Sequence, residues 1–555
     1  LVTPQWWDDL WLKEAFATWH SYKTIDALNP GENYLDSLFS ASAWAMKEDA
    51  LSSARRIREP ILRHEDIGAA YDGITYSKGG GVLAMFEAFL GPDNFRRGIR
   101  HYMKKHAWGN TTAADFMAAI TDANPEADGQ LLRDAFHSFI AQAGVPQLQV
   151  NLDCGGDAPA LQIEQQRYLP LGSGGDDAQS WIIPACAELL HAGESQTQCF
   201  LASGREQRVV LDTERCPDAV LPNSGGSSYY RFAMPGQQWQ ALLARFDQFS
   251  NHEQIAIADS LGAALNAGTL SLDDYLAAVP TLAASRSWRV SILPRADIYR
   301  LMDYGANEAE KQRFRELLLA WYRPQLDRLE AMPELSPEQL QYRMFMMSTL
   351  GLRGRDPAVR ARLVAMGRAY TGFGTDAQLA PDAIDPNMAY IALLAGVEEI
   401  GKPFTDLLWQ HFHGSDDATV RERLLYAIAH STEPEVAAEA RAAVLDPRLA
   451  DNEISYIIEG QMGEPGNQAA VWAWTRDNLE AVMARIPTWR KGQVPDMFSE
   501  FCDAQAAADM EALFAPTIDR YESGPRYLAK ALEKIRLCAA FVDHYSGRAG
   551  STAAP

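Results

Sequence analysis

Apolar residues recur at helical spacing from the start of the chain. Trp7, Leu10 and Trp11 share one helical face, Glu14 lies on the same face, and Ala17 and Thr18 continue the stripe. A run with Val82, Met85, Phe86 and Phe89 on one side stops at Gly91-Pro92, and the next carries Phe95, Ile99, Tyr102 and Met103. Thr112 with Asp115 three residues on predicts a helix start of the capping-box type, and Leu132, Phe136, Phe139 and Ile140 form one more stripe.

Near residue 148 the period changes to two. Leu148, Val150 and Leu152 alternate with polar neighbours, as do Leu161 and Ile163. Trp181, Ile183 and Ala185 lead into a hairpin expected to turn near Ala192-Gly193-Glu194-Ser195, and Val209–Leu211 and Tyr229–Phe232 read as further strands. From about residue 236 helical spacing returns and runs to Phe541. Ser250 with Glu253, Ser336 with Gln339, and Thr432 with Glu435 read as capping boxes, and Asp356-Pro357 as another start. No fixed repeat length links the helices, so this part reads as an irregular α-solenoid. The expectation is a multidomain, mainly α chain: helical residues 1–147, a small β-sandwich over 148–235, a helical domain over 236–545 and a disordered tail over 546–555.

Composition narrows the function classes. A hydrophobic share of 47% supports true cores. A formal charge of −23 argues against a nucleic-acid partner, because phosphate binding needs clustered Lys and Arg. No apolar run is long enough to span a membrane. Four of the six cysteines fall in the strand-rich region, without a C-x-x-C pair that would suggest a zinc ribbon. Four cysteines allow three connectivities. Cys186–Cys199 flank the hairpin and Cys154–Cys216 bracket the region, which leaves Cys502–Cys538 as the third expected bridge. Three disulfides would place the protein in the periplasm or outside the cell; six buried thiols in a cytoplasmic protein are the alternative.

Glu14 carries the first candidate chemistry. A carboxylate among tryptophans and leucine is costly to bury unless it is paired or binds a metal. The plainer account is a residue at the edge of the stripe, reaching water or an arginine. Tyr76, ahead of Gly79-Gly80-Gly81, reads by itself as a packed aromatic with a hydrogen-bonded hydroxyl, and Tyr71 as a core aromatic near a pocket wall. The glycines permit close helix approach and do not make a phosphate loop. His411 and His413 stand two apart on a helix, do not converge on a metal, and read as solvated. Neither His64-Glu65 nor His252-Glu253 continues into H-E-x-x-H.

The wording of two stretches adds a resemblance. Trp6-Trp7-Asp8-Asp9-Leu10-Trp11-Leu12-Lys13-Glu14-Ala15-Phe16-Ala17 resembles the segment that supplies the third zinc ligand in the aminopeptidase N family of gluzincin metallopeptidases. Ile74-Thr75-Tyr76-Ser77-Lys78-Gly79, 62 residues on, resembles that family's Tyr-x-Lys-Gly motif. Leu90–Phe95 and Ala141–Pro146 look similar too. The resemblance implies that residues 1–147 are the C-terminal part of a thermolysin-like catalytic domain. The sandwich would then join it to a helical domain that curves over the active site and encloses a peptide-sized cavity.

It also implies one Zn²⁺, with Glu14 as ligand, Tyr76 donating a hydrogen bond to the oxyanion, and peptides as substrates. Counted back from Glu14, the family's zinc-binding histidines and general-base glutamate fall before Leu1, and the G-x-M-E-N motif is absent as well. The chain is therefore expected to be truncated just after the H-E-x-x-H helix and inactive alone. The competing expectation is a non-catalytic helical scaffold that binds peptides.

Overall fold

The computed structural model describes residues 1–63 and 67–547, and the chain divides into two compact units, Leu1–Pro294 and a second beginning at Arg295. His64-Glu65 and most of the expected tail lie outside the described residues.

The first unit opens with β1 (Thr3–Pro4), a 3₁₀ turn over Trp7–Asp9, α1 (Leu10–Leu28) and α2 (Leu35–Asp49). A five-residue π-helical turn, Ile74–Lys78, runs directly into α3 (Gly79–Leu90); α4 (Pro92–Lys105), β2 (Asn110–Thr111), α5 (Ala113–Asp122) and α6 (Gly129–Ile140) follow. Gly91 ends α3 with φ +84°, where a side chain would be strained, and Pro92 starts α4 at its first position, where no N–H is needed. Thr112 and Asp115 cap α5 reciprocally, as expected.

Two small sheets come next: a four-stranded one, in the order β7 (Glu206–Val210), β4 (Ala160–Arg167), β3 (Pro146–Asp153), β9 (Arg231–Ala233), and a three-stranded one of β6 (Glu194–Ala202), β5 (Ile183–His191) and β8 (Ala219–Leu221). Leu148, Val150, Leu161 and Ile163 of one sheet share a core with Ile183, Ala185, Ala187 and Leu189 of the other. The hairpin turns at Ala192-Gly193, as read from the sequence. The last strand begins only at Arg231, because Tyr229 and Tyr230 precede it with buried hydroxyls on Asp49 and on the Pro222 carbonyl. All three expected bridges form: Cys154–Cys216, Cys186–Cys199 and Cys502–Cys538. Helices α7 (Gly236–Leu243), α8 (Asn251–Asn266), α9 (Leu272–Ala283) and α10 (Trp288–Ser291) complete the first unit.

The second unit is helical throughout its described length. It comprises α11 (Arg295–Arg300), α12 (Glu308–Glu330), α13 (Pro337–Ser348), α14 (Pro357–Thr371), α15 (Ala389–Ile400), α16 (Lys402–Gly414) and α17 (Ala418–Ala429). Then come α18 (Pro434–Ala443), α19 (Ile454–Met462), α20 (Pro465–Asp477), α21 (Leu479–Arg485), α22 (Ala504–Phe514) and α23 (Gly524–Tyr545). Two more π turns, Leu301–Gly305 and Thr349–Arg353, sit among them.

The caps at Ser250, Ser336 and Asp356 form as expected, but Thr432 caps nothing. Pro434 occupies the first position of α18, so Glu433 is the flanking residue and Thr432 lies outside the helix. His411 also departs from expectation. It is buried, with Nε2 2.8 Å from the Thr371 carbonyl, while exposed His413 stacks on Trp409.

Candidate active-site face

Helix α1 buries Leu10, Trp11, Leu12, Ala15 and Trp19. This face is rotated from the one expected. Trp7 belongs to the preceding 3₁₀ turn and is 37% exposed, and Ala17 faces water. With Trp11, Ala15 and Trp19 along the centre of the buried stripe, Glu14 falls on its flank, its side chain 18% exposed. The acidic turn before the helix anchors the chain crossing beneath it: Asp9 accepts from Arg58 Nε at 2.9 Å and Asp8 from the Ile61 N–H at 2.9 Å.

Opposite Glu14 stands the π turn. Its Gly79 N–H donates to the Ile74 carbonyl, a five-residue span that leaves Tyr76 on the bulge. Gly79 meets α1, where a Cβ would lie 2.7 Å from Ala15 Cβ, and Gly81 meets α2, where one would lie 2.5 Å from Ser42 Oγ. The glycine run thus lets α3 lie against α1 and α2 at backbone distance, as the sequence suggested, and brings Tyr76 to Glu14.

Burial, then the charge on nearby Glu14, pushes the Tyr76 phenol up, so the hydroxyl stays a protonated donor. Lys13 Nζ lies 2.7 Å from Glu14 Oε1, and this hydrogen bond pushes the ammonium up. Tyr71 shares the same electrostatic neighbourhood, but at 44% exposure it is a rim residue and not the core aromatic expected.

Groups the sequence reading missed hold the turn at both ends. At its start, Asp72 Oδ1 accepts from the N–H groups of Ile74 and Thr75 at 3.0 and 3.2 Å, and Arg55 grips the same carboxylate. At its end, Lys78 is fully buried, its Nζ 2.8 Å from Asp49 Oδ2 and donating to the Gln142 and Gly144 carbonyls. Asp49 also accepts from the Gly144 N–H and the Tyr229 hydroxyl. Burial pushes the Asp49 carboxyl up and the Lys78 ammonium down, each shift opposed by the partner's charge. Asp72 offered a local signal, since an Asp two and three residues before free helical N–H groups is a cap; Asp49 offered none.

A catalytic zinc takes three protein donors and keeps one open position. Among the described residues no group of three His, Cys, Asp or Glu could hold a metal, so Glu14 is the one expected donor on this face. His252 is engaged elsewhere, with Nε2 2.9 Å from Asp36.

Residues 1–139 match the peptidase family M1 domain, and residues 219–537 the ERAP1-like C-terminal domain. Aminopeptidase M1-B of Oryza sativa subsp. japonica is 26% identical over 98% of this chain and 62% of its own length. Aminopeptidase 2 of Candida albicans is 24% identical over 88% of this chain and 52% of its own. The Tricorn protease-interacting factor F2 of Thermoplasma volcanium is 28% identical over 50% of this chain and 33% of its own. The chain spans about three-fifths of the length of the M1 aminopeptidases it matches from end to end. With one family model on the helices that carry Glu14 and Tyr76 and the other on more than half of the chain, the chain belongs to the M1 aminopeptidase family.

Proposed function

We propose that this chain is part of a zinc-dependent aminopeptidase that hydrolyses N-terminal residues from peptides. One observation carries the reading: Glu14 and Tyr76, 62 residues apart in sequence, meet on one face because Gly79 lets α3 close on Ala15. In this reading Glu14 is a zinc ligand. Tyr76, kept neutral by burial and by the neighbouring carboxylate, donates to the oxygen that becomes negative when the peptide carbonyl is attacked. Such a donor acts on charge that exists only in the transition state, which is why it lowers the barrier. Because the described residues bring one donor and not three, the chain by itself is proposed to hold no catalytic zinc. The three disulfides support an oxidising compartment, periplasmic or extracellular.

The test has two arms. Purified as it stands, the chain is expected to carry zinc well below one ion per molecule and to release no fluorophore from aminoacyl-coumarin substrates; Glu14-dependent release would overturn the one-donor account. The coding sequence upstream of Leu1 is expected to encode H-E-x-x-H at the family's spacing. A start codon or an unrelated domain there would instead favour a non-catalytic peptide-binding scaffold. In a protein carrying both parts, Glu14→Gln should lose zinc. Tyr76→Phe should keep it and lose on the order of 10²–10³ in kcat, the usual cost of one oxyanion donor.

A further inference from the structure

We propose that Arg55 is the positioning residue of the Tyr76 hydroxyl, acting through Asp72; this rests on the reading of Tyr76 as the oxyanion donor. Arg55 is nearly sealed, its side chain 8% exposed, and all three guanidinium nitrogens are in use. Nε donates to Asp72 Oδ2 at 3.1 Å. Nη2 donates to Asp72 Oδ1 at 2.6 Å, Thr75 Oγ1 at 2.6 Å and the Ala70 carbonyl at 3.1 Å. Nη1 donates to the carbonyls of Arg56 and Ile57 at 3.0 and 3.1 Å. The fork therefore ties both flanks of the Tyr71–Tyr76 segment to residues 55–57. That stretch is itself fixed, since Ile57 is buried and the Arg58 N–H donates to the Ile140 carbonyl at 2.9 Å.

Asp72 transmits the grip. Its Oδ1 caps the N–H groups of Ile74 and Thr75, and its backbone carbonyl accepts from the N–H of Tyr76 itself at 3.2 Å. Thr75, whose hydroxyl also binds Arg55, is the residue next to Tyr76. The phenol hydroxyl lies at the far end of a long side chain, so a small rotation of the turn becomes a large displacement at the oxygen. Misplacement of about 1 Å is enough to cost a reacting geometry dearly. A lysine cannot replace the fork: it presents a point charge, which cannot reach a carboxylate, a hydroxyl and three carbonyls in different directions.

The test is 3-fluorotyrosine placed at position 76 of the 555-residue chain and read by ¹⁹F NMR, which needs neither zinc nor turnover. Arg55→Ala is expected to move or split the resonance beyond the wild-type linewidth while thermal unfolding stays cooperative, and millimolar guanidinium should bring it back. Arg55→Lys should stay displaced. Arg97→Ala, which loses three side-chain bonds to Ala123, Asn124 and Glu126 away from the turn, should leave the resonance in place. An unmoved resonance in Arg55→Ala, restoration by lysine, no rescue by guanidinium, or an equal shift in Arg97→Ala would each overturn the assignment. If Arg55→Ala does not fold, Arg55→Lys against Arg97→Ala decides by the same criterion. Failure of the aminopeptidase reading would leave this spectrum as it is, so the two are separable.

Discussion

Both units contain π turns, and they spend charge on them in opposite ways. The turn Ile74–Lys78 has an ion pair at each end, Arg55–Asp72 and Lys78–Asp49, and the second pair is wholly buried. In the second unit, Asp303 of one π turn pairs with Arg353 of the other at 2.6 Å, and both partners remain about a quarter exposed. Near them Glu464 has no ion-pair partner among the described residues, and burial pushes it up to about 7. The sealed Lys78–Asp49 pair cannot lose one partner without stranding the other's buried charge. The Asp303–Arg353 pair links its two turns from a more open setting, and Glu464, with no ion pair to lose, should be removable.

Five single substitutions would break or sharpen this contrast. The largest effect is expected for Lys78→Met, which strands a buried Asp49. About 3–5 kcal/mol should be lost from the first unit in denaturant unfolding, with part returned by adding Asp49→Leu. Gly79→Ala should cost roughly 1–3 kcal/mol, because overpacking against Ala15 outweighs the helix-propensity gain, and should widen the Tyr76–Glu14 approach in a crystal structure. Glu464→Gln should act in the other direction. Glu464 binds its proton more tightly folded than unfolded, so its contribution is full below the ordinary carboxylate range and lost as pH rises through about 7. The variant should gain about 1–2 kcal/mol at pH 8, after discounting for partial exposure, and nothing at pH 4. Thr432→Ala should stay within about 0.5 kcal/mol, whereas Ser336→Ala loses about 1 kcal/mol, since only Ser336 caps a helix.

What the sequence made legible was local. The caps at Thr112, Ser250, Ser336 and Asp356 each need residues within one helical turn, and they were readable for that reason. Thr432 misled because Pro434 resets the helix start. The disulfide pairs were readable because the hairpin brings Cys186 and Cys199 together and because the four cysteines of the strand-rich region leave only three connectivities. The Glu14 face was rotated by the 3₁₀ turn ahead of α1, which displaces Trp7 from the stripe. Glu14 and Tyr76 themselves were singled out as candidates through wording shared with a family, since periodicity alone favoured plainer accounts of both. Arg55 and Asp49 stayed hidden because, the neighbouring Arg56 and Ile57 carbonyls aside, their partners lie 15 to 180 residues away, where no local pattern reaches.

Cys186 and Cys199 are direct partners across the β5–β6 ladder. Strand β6 shows mostly exposed side chains, so it has little buried alternation to tell it which rung it belongs on. The sulfur bond does that counting instead. A slide by a single step would turn every side chain of the strand over, and it cannot happen while that bond is closed. In a strong thiol reductant the strand would keep its place by backbone hydrogen bonds, the side-chain bonds of Gln196 and Gln198, and the packing of Phe200 and Ala202 at one end.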